Sequence, residues 1–226
     1  MTGTPSDFAV VGTDTGVGKT VVTAGLTRWL RDQGVDARAI KPCQTGYPPD
    51  DDAQFVADAC AADAASTCLR RLEPPLAPAV AAARTDESLS YAELVKGCET
   101  AIAESEVGIV EGIGGVRVPL ADGREVVDLV ADLDLPVILV SRSGLGTLNH
   151  TALTVEALRD RDVRVRGVVL NEYEGATVAE RTNPRAIEDM TSCTVETVPP
   201  IEQSSPASLA AAVRDHLSQT LAVGSE

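Results

Sequence analysis

Phe8-Ala-Val-Val-Gly-Thr-Asp-Thr-Gly-Val-Gly-Lys-Thr20 is the stretch that decides the fold. Its first four residues form a short apolar run rich in β-branched side chains, which predicts a buried strand. The glycines that follow allow the backbone to curl so that its amides point at a phosphate group, and a helix that begins near Thr20 adds the positive end of its dipole. Lys19 is placed to bridge the β- and γ-phosphates of ATP, and the Thr20 hydroxyl to ligate Mg²⁺. The stretch therefore predicts a phosphate-binding loop, or P-loop.

The spacing of this loop departs from the commonest P-loop pattern. That pattern has four residues between the first glycine and Gly-Lys, whereas Thr13–Val17 makes five here. The alternative is a chance glycine-rich turn, but Gly-Lys-Thr opens a helix directly after the first strand, which favours the P-loop. The Gly-x-Gly-x-x-Gly spacing of dinucleotide-binding loops is missing. The expected ATP-binding residues of the loop are Gly16, Val17, Gly18, Lys19, Thr20 and Val21.

Apolar runs alternate with helical patterns along the rest of the chain. Besides Phe8–Val11, the predicted strands are 37–40, 108–110, 136–140, 167–170 and 194–198. The predicted helices are 20–33, 50–65, 90–104, 149–161 and 205–221, with a proline-marked loop at 74–78. Continuous apolar strands separated by helices are typical of a parallel sheet covered on both faces. We therefore expect an α/β fold of the P-loop NTPase type, with a mostly parallel, doubly wound sheet in a single domain over residues 1–226.

The composition argues against several classes of function. The net charge is −15, with 34 acidic and 19 basic residues, which argues against a nucleic-acid-binding protein. An odd number of cysteines, five, without a Cys-x-x-Cys pair argues against a disulfide framework and a zinc ribbon. Neither a transmembrane run nor a signal peptide is recognisable, so we expect a cytoplasmic protein without a membrane partner. Acid excess with only three lysines suits adaptation to high salt or an ordinary acidic protein of a GC-rich genome, and both interpretations stay open.

Candidate functional residues follow the predicted strands, at the edge where open parallel sheets bind ligands. Lys41 follows the second strand and could hold a γ-phosphate or an anionic intermediate, or be a solvated surface lysine. Because lysine is scarce and Lys41 lies at a strand end before a proline, we favour the site. Glu111 follows the third strand, and a carboxylate there can reach Mg²⁺, although a charged strand end is the plain alternative.

Two further groups of polar residues stay open. Asp50-Asp-Asp52 is either a hydrated acidic turn or contains a metal ligand, with Asp52 as the candidate. Asn171 and Glu172 after the fifth strand either read the edge of adenine or form a simple turn.

Taken together, these motifs resemble the dethiobiotin synthetase family. The segments that carry the resemblance are Gly12–Thr20, Lys41-Pro-Cys-Gln-Thr-Gly46, Val110-Glu-Gly-Ile-Gly-Gly115 with Val118-Pro-Leu120, Leu135–Val140, and Gly144-Leu-Gly-Thr-Leu-Asn-His-Thr151. The resemblance covers most of the chain, from Phe8 to about Pro200. Three positions depart from the family pattern: Ala77-Pro-Ala79 stands where Ser-Pro-His is common, Glu172 where an aspartate is usual, and Pro199-Pro200 where Pro-Trp or similar is usual.

The resemblance implies an ATP-dependent enzyme of biotin synthesis that acts as a homodimer. Its substrates would be 7,8-diaminononanoate, CO₂ and ATP, its cofactor Mg²⁺, and its product dethiobiotin. The implied site residues are Lys19 and Lys41 for catalysis; Thr20, Asp52 and Glu111 for Mg²⁺; Thr15, Lys41, Thr45, Gly146 and Asn149 for substrate; and Glu111, Gly114, Asn171, Glu172 and Pro199, besides the P-loop, for ATP.

Three other interpretations share parts of this pattern. A partitioning-type ATPase has the same sheet but normally carries a lysine early in the loop, about where Asp14 stands. An amidotransferase-linked ligase of the cobalamin pathway shares the loop but carries a fused glutaminase domain. A paralogue that binds ATP without turnover would not need Lys19, Thr20, Lys41 and Glu111 all intact.

Overall fold

A computed structural model of the chain describes residues 5–202, 205–218 and 221. The helices in this part of the chain are α1 (Lys19–Asp32), α2 (Asp52–Cys60), α3 (Pro78–Thr85), α4 (Tyr91–Ala103), α5 (Val126–Asp132), α6 (Thr147–Arg159), α7 (Val178–Thr191) and α8 (Pro206–His216). The strands are β1 (Phe8–Gly12), β2 (Ala37–Lys41), β3 (Gln44–Thr45), β4 (Ser66–Cys68), β5 (Arg71–Leu72), β6 (Val107–Gly115), β7 (Pro119–Ala121), β8 (Arg124–Glu125), β9 (Val137–Arg142), β10 (Val165–Asn171) and β11 (Val195–Thr197). None of the described helices is both long and apolar enough to cross a membrane.

The main sheet has seven strands in the order β11-β10-β9-β1-β6-β2-β4. All its ladders are parallel, so the predicted fold class is confirmed. The central strand β1 lies between β6 and β9, and the chain therefore winds away from β1 in both directions. In such sheets the ligand crevice opens beyond the carboxyl ends of the strands at this reversal. The P-loop leaves β1 at that point.

Helices cover both faces of the sheet because successive residues of each strand point to opposite sides. Phe8 and Val10 of β1 belong to one hydrophobic cluster, which includes Leu26 of α1 and Val213 of α8. Ala9 and Val11 belong to the other, which includes residues of α4, α5, α6 and α7. β1 is buried along its whole length, and this burial fixes the position of the loop that follows it.

Helix α8 packs against α1 at Gly25. A Cβ atom at Gly25 would lie only 2.5 Å from Cγ1 of Val213. Glycine in a helix interior ordinarily destabilises the helix, and here it allows the two helices to approach closely.

Several predicted boundaries are wrong. The predicted helix 50–65 is shorter, because Ala61 takes a left-handed conformation (φ 50°) that ends α2. A 3-10 turn at Asp63–Ala65 and the unpredicted strand β4 follow it. Pro78 is not in a loop but is the first residue of α3, where its missing N–H is harmless. The third strand extends to Gly115, so Glu111 lies inside β6 rather than after it.

Three helices, α3, α5 and α7, were not predicted. Helix α7 contains Pro184 in its interior, which obscures the helical pattern. Its start is marked by a reciprocal capping box between Thr177 and Glu180, a signal that is visible in the sequence. Helix α8 begins after Ser205 as predicted but ends at His216, short of the predicted 221, and residues 219 and 220 lie outside the described part.

Candidate active site

A cavity of about 820 Å³ opens at the carboxyl edge of the sheet beside β1. The P-loop, the ends of β2 and β6, the start of α2 and the loop before α3 form its wall. Ten of the residues expected from the sequence line it: Thr15, Gly16, Gly18, Lys19, Thr20, Val21, Lys41, Thr45, Asp52 and Gly114. The structure therefore gathers residues from four separate segments around one space.

Gly18 and Asn171 shape the P-loop. Gly18 precedes α1 with φ of 96°, in the left-handed region, and a Cβ there would lie 2.1 Å from Nδ2 of Asn171. That nitrogen donates a hydrogen bond of 3.2 Å to the carbonyl of Val17. Only glycine fits at this point, and the Asn171 side chain stabilises the loop through its hydrogen bond to Val17.

Lys41, Asp52, Glu111 and Thr20 form a polar cluster beside the P-loop, in which Lys41 and Glu111 are buried and Asp52 and Thr20 are half-buried. Nζ of Lys41 lies 2.5 Å from Asp52 Oδ2 and 2.8 Å from Glu111 Oε1. The Thr20 hydroxyl donates to the same Glu111 oxygen at 2.9 Å. Lys41 and Glu111 are 4% and 2% exposed, so these charges rely on each other rather than on water.

The two lysines of the site have opposite electrostatic environments. Burial disfavours the charged form of Lys41, but the carboxylates of Glu111 and Asp52 outweigh burial and raise its pKa. Burial, reinforced by the positive charge of Lys41, lowers the pKa of Lys19 to about 8. Nζ of Lys19 donates to the carbonyl of Asp14 at 3.0 Å, which aims the side chain along the P-loop. A cation in this position gains most from an anionic ligand.

The donor set around Thr20 fits Mg²⁺. Among the described residues, no group of three or more His, Cys, Asp or Glu side chains could hold a metal ion alone. Mg²⁺ bound with a nucleotide does not need such a cage, because one or two carboxylates, phosphate oxygens and water complete its shell. Asp52, Glu111 and Thr20 supply hard oxygen atoms within hydrogen-bonding reach of one another.

Gln44 was missed by sequence reasoning, although it supports the metal-binding candidate. Its Oε1 accepts a hydrogen bond from the backbone N–H of Asp52 at 3.2 Å, and its Nε2 donates to the carbonyl of Thr45 at 2.8 Å. Gln44 is buried. Gln44 therefore connects Thr45 to the start of α2. No spacing pattern in the sequence predicts this contact.

Comparison with known proteins decides the family. The chain is 64% identical over 217 residues to the ATP-dependent dethiobiotin synthetase BioD of Haloferax mediterranei, covering 96% of this chain and 94% of that protein. It is 36% identical to the protein of the same name from Bacillus velezensis, covering 81% of each. Residues 6–208 also match the family described as an AAA domain. The chain belongs to the dethiobiotin synthetase family.

Membership in the dethiobiotin synthetases makes the protein an ATP-dependent ligase. It also decides against the partitioning ATPase and the cobalamin-pathway ligase as families for this chain. A ParA family ATPase from Chlorobium tepidum shares the fold, with a TM-score of 0.63 over 96% of both chains, but only 12% sequence identity. That likeness shows the common sheet and nothing about activity.

The cavity of this synthetase is also lined by apolar side chains that sequence reasoning missed. They come from α2, from the loop before α3, from β6 and from the turn after β6: Phe55, Pro75, Leu76, Ile113 and Val118. The cavity therefore combines charged and apolar lining residues. The prolines at 74–78 were interpreted only as loop markers, since the sequence does not show which side chains face the P-loop.

Two groups of predicted site residues lie away from the cavity wall. Gly146 and Asn149 stand at the exposed start of α6, beside Leu145, which is 97% exposed. Glu172 is exposed with φ of 53°, and Pro199 is half-buried, near the end of β10 to which Asn171 belongs. Val17 and Glu111 are buried directly behind the wall.

Proposed function

We propose that the protein carboxylates 7,8-diaminononanoate with CO₂ and closes the ring to dethiobiotin, at the expense of ATP. The observation that supports this proposal is the cluster of Lys41, Asp52, Glu111 and Thr20 beside the P-loop. These cations and oxygen atoms would face the end of a bound triphosphate, in a cavity whose apolar lining residues suit an alkyl chain. The described residues would act as one domain, in the cytoplasm.

The reaction we propose has three steps. One amine of the substrate adds to CO₂ and loses a proton, which gives a carbamate. A carbamate oxygen attacks the γ-phosphorus, ADP leaves, and a carbamic–phosphoric anhydride forms. The second amine attacks the carbonyl carbon of this anhydride and expels phosphate, which closes the cyclic urea.

Each of these species is anionic beside the γ-phosphate, and this is the role we propose for the two lysines. Lys19 would contact the β- and γ-phosphates, and Lys41 would stabilise the charge that builds up during transfer. Mg²⁺ bound through Thr20, Asp52 and Glu111 would neutralise phosphate oxygens and orient them for in-line attack. Thr15 and Thr45, which both line the cavity, would position the amine and the carbamate.

Adenine would lie on the far side of the P-loop, toward β10 and β11. The Nδ2 atom of Asn171 is engaged with the carbonyl of Val17, which leaves its Oδ1 as the acceptor for an adenine amino group. Glu172 and Pro199 would flank the base.

We also propose a homodimer in which the start of α6 serves the cavity of the other copy. Gly146 and Asn149 do not line this chain's own cavity, although the resemblance assigns them to the substrate carboxylate. Leu145 and Leu153 of the same region are 97% and 55% exposed, which suits burial against a second copy. The N–H groups at the start of a helix are a favourable site for a carboxylate.

The experiment that tests the function is phosphate release from Mg-ATP with and without diaminononanoate and bicarbonate, in low and in molar KCl. We expect release only when both additions are present, together with a product that has the mass of dethiobiotin. Hydrolysis of ATP regardless of the diamine would refute the proposal.

A further inference from the structure

The loop between β9 and α6 is held by polar side chains from other elements. The hydroxyl of Ser143 lies 3.0 Å from the carbonyl of Glu172, in the loop after β10. The Thr147 hydroxyl donates to the carbonyl of Arg142 at 2.6 Å. Each bond fixes a backbone segment close to Gly146, where α6 starts.

Asn183 of α7 makes the most buried of these hydrogen bonds to the loop. Its side chain is 4% exposed, and its Nδ2 donates to the carbonyl of Ser143 at 2.7 Å and to that of Gly144 at 3.2 Å. A buried amide nitrogen has two N–H groups, and both are directed at the same loop. Losing this donor would leave the buried carbonyl of Ser143 without this hydrogen bond, whereas the carbonyl of Gly144 would keep its bond from the N–H of Thr147 at 3.3 Å.

The loop that Asn183 holds determines where the first turn of α6 points. Gly146 caps this helix with φ of 93° and no side-chain hydrogen bond. The first-turn N–H groups therefore keep their direction only as long as residues 143–146 keep theirs. Asn149 and its neighbour His150 are exposed on this turn, whereas Asn183 lies beneath it and cannot touch a ligand there.

We propose that Asn183 is a positioning residue for the substrate carboxylate, acting through the loop 143–146. The proposal rests on the proposed function, in which the start of α6 receives that carboxylate. Asn183 holds the helix start rigid, so that the carboxylate meets amides already aimed at it. The inference concerns binding of one end of the diamine, and it leaves the P-loop and the phosphate chemistry untouched.

The test compares two diamines in the purified full-length protein. Diaminononanoate carries the carboxylate, and 2,3-diaminooctane has the same vicinal amines and alkyl chain without it. We expect Asn183→Leu, which keeps the branching and the number of heavy atoms but removes the donor, to raise KM for diaminononanoate about tenfold, the size of one lost charge–dipole contact. KM for 2,3-diaminooctane and for ATP should stay unchanged.

Two further variants separate positioning from general destabilisation. Thr191→Val removes another buried polar group of α7, whose hydroxyl bonds the carbonyl of Ile187 in the same helix, and we expect no change in either KM. Asn183→Ser keeps a shorter donor and should give an intermediate KM for the acid; it carries the same comparison if Asn183→Leu does not fold.

Equal KM increases for both diamines, or a change in kcat alone, would overturn the role of Asn183. Failure of the proposed function gives a different result, because the wild-type protein would then release no phosphate in response to diaminononanoate. The wild-type measurement therefore separates the two.

Discussion

Lys41 pairs with two carboxylates, those of Asp52 and Glu111. We therefore expect its charge both to hold these side chains together and to act in the reaction. Changing Lys41 to Gln shortens the side chain by one atom and keeps some hydrogen bonding, but it leaves Asp52 and Glu111 without their cation. We expect kcat to fall about 100-fold or more, while ATP affinity changes little, because Lys19 and the loop amides remain. Steady-state kinetics and ATP titration check this.

The control for Lys41→Gln is thermal unfolding with and without Mg²⁺. Two facing carboxylates repel, so Mg²⁺ should stabilise the variant more than the wild type. Loss of ATP affinity in proportion to the rate would mean that Lys41 binds substrate and transition state equally.

A substitution at Glu111 tests whether this carboxylate binds Mg²⁺. Glu111→Gln preserves the shape of the side chain and removes the negative charge that would face Mg²⁺. We expect the Mg²⁺ concentration for half-maximal activity to rise about tenfold. Glu104→Gln, an exposed acid that pairs with Arg38, is the matched control and should leave the Mg²⁺ titration unchanged. An unchanged titration for Glu111→Gln would remove it from the metal shell.

Helix α1 contains two buried threonines that differ in hydrogen bonding. Both are 0% exposed; Thr27 donates to the carbonyl of Thr23, whereas the Thr23 hydroxyl has no partner among the described residues. Thr23→Val removes a buried hydroxyl without changing the shape, so the free energy of unfolding should rise by about 1 kcal/mol. Thermal unfolding of Thr23→Val and of Thr27→Val tests this prediction. Higher stability for Thr27→Val alone, or lower stability for Thr23→Val, would contradict it.

At this scale, sequence reasoning succeeds where a motif is local. Lys19 and Thr20 follow from one continuous stretch, and Lys41 from its place at a strand end. Gln44 bonds the N–H of Asp52, 8 positions along the chain, and Asn183 bonds the carbonyl of Ser143, 40 positions away. Their contacts depend on how α2 and α7 pack, and no spacing along the chain announces them.

At the scale of elements, the close contact between α1 and α8 can be tested by paired substitutions at Gly25 and Val213. Gly25→Ala should improve helix propensity by about 1 kcal/mol, but the new methyl would meet Cγ1 of Val213. We expect net destabilisation by about 1–3 kcal/mol, as for an overpacked core. Denaturant unfolding measures it.

The double variant Gly25→Ala with Val213→Ala checks the cause. The double variant should lose less free energy of unfolding than the two single variants lose together, because the new methyl occupies the space that the Val213 side chain vacates. Strict additivity would mean that the strain lies elsewhere, for instance at the backbone of Ala210.

Predictability also varies among the elements. The buried strands were found because each is a continuous apolar run, and the doubly wound class followed from their alternation with helices, although no strand order was predicted. Helix α7 was missed because Pro184 interrupts its pattern, and α2 was drawn too long because alanine is favourable in a helix whether or not the helix continues. Tertiary packing decides such cases, and propensity alone is a weak guide.

At the scale of the whole molecule, the fold could be predicted from the alternation of strands and helices, whereas the completeness of the site could not. The cavity of one chain contains the P-loop and the lysines but neither Gly146 nor Asn149. A sequence does not reveal which residues a second copy contributes. The exposed Leu145 beside a helix start, seen only in three dimensions, raises the question.

Mixed dimers answer that question. Lys19→Ala should inactivate the phosphate side of a site, and Asn149→Asp should place a negative charge where the substrate carboxylate is expected. Each variant alone should have little activity. If each site combines the P-loop of one copy with α6 of the other, refolding the two together in equal amounts creates dimers with one intact site, and about a quarter of wild-type activity should return. Mixing without refolding is the control, since copies that do not exchange should stay inactive. No recovery after refolding, with dimers present by light scattering, would show that each chain builds its site alone, and the start of α6 would then not serve the cavity of the other copy.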